Sequence, residues 1–233
     1  MGGGRLMHTY TVNPNNYKRW NRKKLINTLK KFVGLVYNGK HKQELIGQIV
    51  KYYVYRKEEH NDIFYLNRYT ELISDVHFTV PTVEGILARR KAGWDIYAYL
   101  LDHYNDGIYN NTNIPEGLRG AVHASEFPYM SGLELIGKID FDEKEQVIAD
   151  VFRQSFTEFA RNGAPRNQHV SWLDVGKDPR LRYLRITPEP EMRSGFYNQT
   201  VVFWRKMRKY GFDMTQLLPT RKQNVSCTCA MVD

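Results

Sequence analysis

Eight residues, Trp94 to Leu101, limit the fold more than any other stretch. They crowd aromatic, branched and aliphatic side chains between Gly93 and Asp102-His103, the pattern of a buried strand. A buried strand needs other strands at its edges and helices over its faces. The sequence on either side supplies helical stripes. Leu25, Leu29, Phe32 and Val33 recur at helical spacing within Asn21 to Val33. Leu45, Ile46, Ile49, Val50 and Tyr53 do so within Lys42 to Tyr55, and Asp62 to Ile73 reads similarly. The pattern resets at Pro81, after which Val83, Ile86 and Leu87 mark a short helix closed by Gly93. Tyr104 to Arg119 is rich in Asn, Asp, Gly and Pro and reads as a loop. Beyond Asp142 a longer helix carries Val147, Val151, Phe152, Phe156, Phe159 and Ala160 up to Asn162-Gly163-Ala164-Pro165. A strand is expected at Arg182 to Ile186 and a last helix around Val201 to Met207. Mixed in this order, the elements predict an α/β or α+β layer fold.

Charge is distributed unevenly. Up to Lys57 there are thirteen Lys and Arg against the single acid Glu44, a net of +12 in a chain of net +9, so the remainder carries −3. A basic segment with Tyr17 and Trp20 interleaved is one way to bind nucleic acid or an anionic surface. The helical stripe gives the simpler account, in which Arg22, Lys23, Lys30 and Lys31 form a solvated face, so no specific nucleic-acid partner is expected. No apolar run is long enough to span a bilayer, and the first residues form no signal peptide, which leaves the compartment open. The thiols Cys227 and Cys229 are too few for a disulfide framework or a thiolate zinc site. Three glycosylation triplets begin at Asn110, Asn198 and Asn224 and act only in secreted proteins.

Most chemistry-bearing motifs are missing. There is no P-loop, no G-x-G-x-x-G, no H-E-x-x-H and no G-x-S-x-G, so neither a cofactor nor a metal is implied and no serine is presented as a nucleophile. One segment stands out: Gly120-Ala121-Val122-His123-Ala124-Ser125-Glu126, continuing to Gly132. Three further stretches accompany it in order, Asp75 to Pro81, Ile96-Tyr97-Ala98-Tyr99, and Phe156 to Pro165 with Phe159-Ala160 and Gly163. Trp172, Tyr183 to Ile186 and Phe203-Trp204 follow. Together they resemble the carboxylesterase and cholinesterase family of α/β-hydrolases, whose catalytic histidine lies in a G-x-x-H-x-x-E stretch. Gly120, His123, Glu126 and Gly132 match in register, and Asp75 matches the aspartate of the family's D-x-x-x-x-x-P. Ser131 departs from the expected Phe.

The resemblance implies the C-terminal portion of an α/β-hydrolase fold, an incomplete sheet with flanking helices. It also implies a Ser, acid, His triad acting on small carboxylic esters through an acyl-enzyme, with His123 as the base. Residues 1–20 would then be a remnant of the acid-bearing loop region, 21–210 the hydrolase portion and 211–233 a tail. An ungapped alignment puts Gly3 where the triad acid belongs, so the chain by itself is expected to be inactive. A non-catalytic, neuroligin-like binding relative is the alternative. Members of the family are often secreted. In the family another strand lies beside the one matched by Trp94 to Leu101, so one edge of that strand is expected to be open, with self-association through it.

Overall fold

A computed structural model describes residues 18–55, 61–110, 112, 114–132 and 140–216. Residues 1–17 of the expected acid-loop remnant (1–20), Asn111 of the first glycosylation triplet, the whole of the third, and both cysteines lie outside the described residues.

The basic segment folds as its stripe dictates. Helix α1 (Arg22–Val36) starts at Asn21, whose side chain accepts the Lys24 N–H at 2.9 Å, and it buries Leu25, Leu29 and Val33 completely. Helix α2 (Lys42–Val54) lays Leu45, Ile49 and Tyr53 against it, and α3 (Asp62–Ser74), capped by Asn61 on the Phe64 N–H, adds Phe64, Leu66 and Leu72. Trp20, Trp204, Met207 and Phe212 close this helical core.

The pattern does not reset at Pro81. Helix α3 runs without interruption through a π-helical turn (Asp75–Thr79) into α4 (Val80–Lys91). The Val80 N–H reaches back five residues to the Asp75 carbonyl. Proline has no N–H, and in α geometry its ring strikes the carbonyl four residues earlier; a single wider turn relieves both faults without breaking the rod. Periodicity of apolar residues shifts by one residue across such a turn, so it reads as a break in sequence.

Strand β1 is shorter than expected. The ladder covers Tyr99–Leu101, and Trp94 is 63% exposed. Upstream, the Ile96 and Ala98 carbonyls accept N–H bonds from Val175 and Leu184, each at 2.9 Å, so the segment is extended but only intermittently bonded. Strand β2 (Arg182–Ile186), which falls where expected, pairs in parallel with β1 through Tyr99↔Leu184 and Leu101↔Ile186. It begins too late to accompany Trp94 and Asp95. A third strand, β3 (Glu191–Ser194), returns antiparallel to β2 and gives the order β1-β2-β3. Its residues Glu-Met-Arg-Ser carry no alternating apolar signal, because one face is wet and the other only half covered.

Helices lie on both faces of this sheet. Leu101, Leu184 and Ile186 face α6 (Glu143–Asn162) through Ile148, Val151 and Phe152. Ala98 and Leu181 face Val83 and Ile86 of α4 and Val201 of α7 (Asn198–Lys206). Helix α6 begins at Asp142, which accepts the Glu145 N–H at 2.8 Å, and stops at Gly163, whose φ of 74° a side chain would resist. The arrangement is that of an incomplete α/β-hydrolase sheet with flanking helices. Among the described residues β1 is an edge strand, with a partner on one side only, as expected. Also among them, no helix is long and apolar enough to cross a membrane.

Candidate active site

The carboxyl end of β1 opens into a cavity of about 470 Å³. Leu101, Asp102 and His103 form one side, Asp75 and Thr79 of the π-turn another, and Arg119, Gly120 and Ala121 a third. Open α/β sheets bind ligands at this end of their strands, where the loops converge. The chain then passes through two short 3-10 turns, Asp106–Tyr109 and Glu116–Leu118, within the predicted loop, before it reaches His123.

His123 sits in a turn that is exposed and strained. Its neighbour Ala124 has φ of 70°, a left-handed conformation that costs a non-glycine residue of order 1 kcal/mol and persists only where the surroundings enforce it. The turn is held by Ser125 N–H to Val122 carbonyl at 3.1 Å and Phe127 N–H to Ala124 carbonyl at 3.2 Å. Helix α5 (Phe127–Ser131) follows, and Gly132 ends it at φ 71°. The imidazole lies against the ring of Phe78, with centroids 4.8 Å apart and planes 35° apart. Phe78 belongs to the π-turn, so the widened turn that accommodates Pro81 also presents the aromatic ring on which His123 rests.

Of the site residues expected from sequence, Asp75 and Gly120 line the same cavity, whereas His123 lies beside it, three residues beyond Gly120. Glu126 stands near the half-buried Tyr99 phenol, which burial first and the Glu126 charge second push up. Gly132 is a helix stop remote from chemistry. Asp75 is buried, accepts the Tyr53 O–H at 2.6 Å, and has its carboxyl pushed up to about 7 chiefly by burial. The Trp204 Nε1–H in turn donates to the Tyr53 oxygen at 3.2 Å. Ser125, two residues from the histidine, is 2% exposed and is therefore not presented as a nucleophile. Among the described residues no cluster of three or more His, Cys, Asp or Glu side chains could hold a metal.

Two further groups were not singled out in sequence. Tyr109 Oη donates to the Gly120 carbonyl at 2.6 Å and accepts the Gly120 N–H at 3.1 Å. Glu145, 5% exposed, accepts from Tyr129 Oη at 3.0 Å and Asn105 Nδ2 at 2.7 Å, with His103 Nε2 at 3.0 Å. No local motif signals either; the only hint is the position of Glu145 in the first turn of a helix, where acids are common for other reasons.

The geometry around His123 can be set beside known proteins. The carboxylesterase family matches residues 4–204, most of the chain. The chain belongs to that family. Gut esterase 1 of Caenorhabditis briggsae is 31% identical over 188 residues, 77% of this chain and 33% of that protein. Gut esterase 1 of Caenorhabditis elegans is 30% identical over 190 residues, with 77% and 34% covered. Neuroligin-3 of Mus musculus is 22% identical over 157 residues, with 58% and 18% covered. The chain thus spans about a third of the length of the gut esterases it matches.

Proposed function

We propose that this chain is the C-terminal part of a carboxylesterase-type serine hydrolase, with His123 as the base that takes the proton of a serine supplied by another part of the domain. In this reading residues 21–210 are the hydrolase portion, 1–20 the remainder of the acid-bearing loop and 211–233 a tail. Small carboxylic esters are the substrates of the completed domain. The observation that carries the reading is the exposed imidazole at the carboxyl-end side of an edge strand, in a strained turn, within a chain of this family.

An imidazole without a serine and an orienting carboxylate does not form an acyl-enzyme. The purified chain therefore shows no serine-specific labelling by a fluorophosphonate probe and hydrolyses a chromogenic short-chain ester no faster than free histidine. Co-expressed with an N-terminal carboxylesterase portion that carries a G-x-S-x-G elbow, it yields turnover that disappears on His123→Ala. Saturable turnover by the chain alone would overturn the first part. Turnover of the pair that survives His123→Ala would overturn the role of the histidine.

A non-catalytic binding relative is the second reading. The similarity to Neuroligin-3 favours it. No ester turnover with any serine-bearing portion, together with a well-behaved monomer, would move the balance to it.

A further inference from the structure

The His123 turn is exposed and is strained at Ala124. A strained turn left to itself relaxes, so something on each side must hold it. The neighbouring contacts show what does. Three residues before His123, Gly120 is gripped through both of its backbone polar groups by one atom, the Tyr109 hydroxyl oxygen. The phenol is buried, and Arg119 lies over its ring at 5.5 Å while its guanidinium pairs with Asp106 at 2.9 Å. Six residues after His123, Tyr129 is buried and donates to Glu145. Burial and the Glu145 carboxylate push the Tyr129 phenol up, so it keeps its proton and remains a donor. Glu145 in turn ties in His103 and Asn105, from the segment that leaves β1, and is itself fixed in the first turn of α6.

We infer that Tyr109 and Glu145 are positioning residues for His123, two clamps that hold its turn in a working orientation from both ends. Each acts on a different element. Tyr109 fixes the turn to the loop that precedes it, and Glu145 fixes it to α6 and to the exit of β1. A buried carboxylate with three side-chain neighbours is strong because its charge is shared among well-aligned donors, and costly to lose because those donors would be stranded. Both clamps lie wholly within this chain, so the histidine is prearranged before any serine arrives.

The role of His123 rests on the proposed function, but the clamping itself does not, and the experiment separates the two. Amide hydrogen exchange is followed across residues 120–132 and across β2 and α6 in the purified chain and in Tyr109→Phe, Glu145→Gln and Glu145→Leu. Tyr109→Phe keeps the buried ring and removes only the hydroxyl, so it is the variant least prone to misfold. Exchange at Gly120 to Phe127 is expected to speed up about tenfold in Tyr109→Phe, with β2 and α6 unchanged, the size expected for losing the two hydrogen bonds that the hydroxyl makes to Gly120. Glu145→Leu is expected to do the same at Phe127 to Gly132, and Glu145→Gln, which still accepts from Tyr129, to recover most of the protection. In the pair reconstituted with a serine-bearing portion, Tyr109→Phe lowers kcat with KM unchanged. Unchanged exchange in 120–132 would overturn the inference outright. Faster exchange spread evenly over β2 and α6 would also overturn it, by showing a general loss of stability. Faster local exchange with kcat untouched, in a pair whose turnover still needs His123, would overturn the positioning role by showing that the two contacts hold the turn without setting the imidazole's working orientation.

Discussion

The helical region and the sheet region of this molecule are finished to different degrees. Helices α1 to α3 close around Leu25, Leu29, Leu45, Ile49 and Tyr53, all fully buried, with Trp204 wedged among them. The sheet has helices on both faces, but among the described residues no strand lies at the edge of β1 away from β2. Because the Ala98 carbonyl and the Asp102 N–H point to β2, the alternating polar groups of Tyr99 and Leu101 point to the open side. On the α6 face of that edge lies an apolar recess of about 160 Å³, framed by Tyr97, Phe156 and Phe159, of which Phe159 is 48% exposed. Local periodicity suffices to complete a helical cluster, whereas a sheet is complete only when every strand has found its partner. The part of the chain nearest His123 is therefore the part most dependent on something else.

The contrast can be broken most forcefully at Trp204. Trp204→Ala removes a fully buried indole and the hydrogen bond to Tyr53, and should cost about 3–5 kcal/mol. If the regions differ as described, urea unfolding monitored by hydrogen exchange will show the helical region opening first while β2 and α6 keep their protection. Simultaneous loss of both would mean that they form one cooperative unit.

Within the helical region, Asp75 makes stability depend on pH. Its carboxyl sits at about 7 when folded and near 3.9 in an unfolded chain. Between those values the folded state holds a proton that the unfolded state has released, so stability is greatest below about pH 4, declines as pH rises to about 7, and then levels off. Asp75→Asn should stabilise the chain by about 1–3 kcal/mol at pH 8 and have a much smaller effect near pH 4. Chemical denaturation at both pH values decides it. Equal effects at the two would mean the carboxylate is solvated.

The open edge is tested by Tyr97→Lys, which places a charge beside it. Sedimentation velocity should show the parent self-associating as concentration rises, with the onset moved up about tenfold in the variant. A parent that stays monomeric at high concentration would mean that the edge is covered. The smallest effect is expected on the face of α1. Lys23, Lys30 and Lys31 are exposed there, while Trp20 is buried and stacked on Tyr69 at 4.8 Å. With the Trp20 indole withdrawn into the core, short DNA or RNA should bind no tighter than micromolar at physiological salt, a level set mainly by charge. Nanomolar binding in a fluorescence-anisotropy titration would contradict this.

Much of the fold was legible because it is written locally. The stripe of α1, the cap at Asp142, the stop at Gly163 and the apolar run of β2 each depend on residues within a turn or two of one another. The illegible parts depend on distant partners or on a change of period. β3 is a strand only because Arg182 to Arg185 run beside it, and the π-turn shifts the helical phase by one residue. The site divides in the same way. Gly120 and His123 belong to one short pattern that sequence displays and Asp75 to another, whereas Glu145 meets His103 across 42 positions and Tyr109 meets Gly120 across 11. Such pairs leave no spacing to recognise. Their identity as Tyr and Glu is common enough in loops and helix starts to pass unnoticed.

The two margins of the sheet have opposite characters. On β3, Glu191 and Arg193 are exposed, and with Arg185 they form an ion-paired fringe, Arg185 Nη1 standing 3.1 Å from Glu191. A further strand laid there would have to strip water from these charges, and their rows of mixed sign would meet it before its backbone did. The β1 margin offers bare peptide groups and aromatic rings instead. Growth of this sheet is therefore one-way: whatever extends it must arrive at β1, and it must leave its own end beside the cavity and the turn that holds His123. Folding gives the molecule a built-in address, so that completing the architecture and delivering new side chains to the imidazole are a single event.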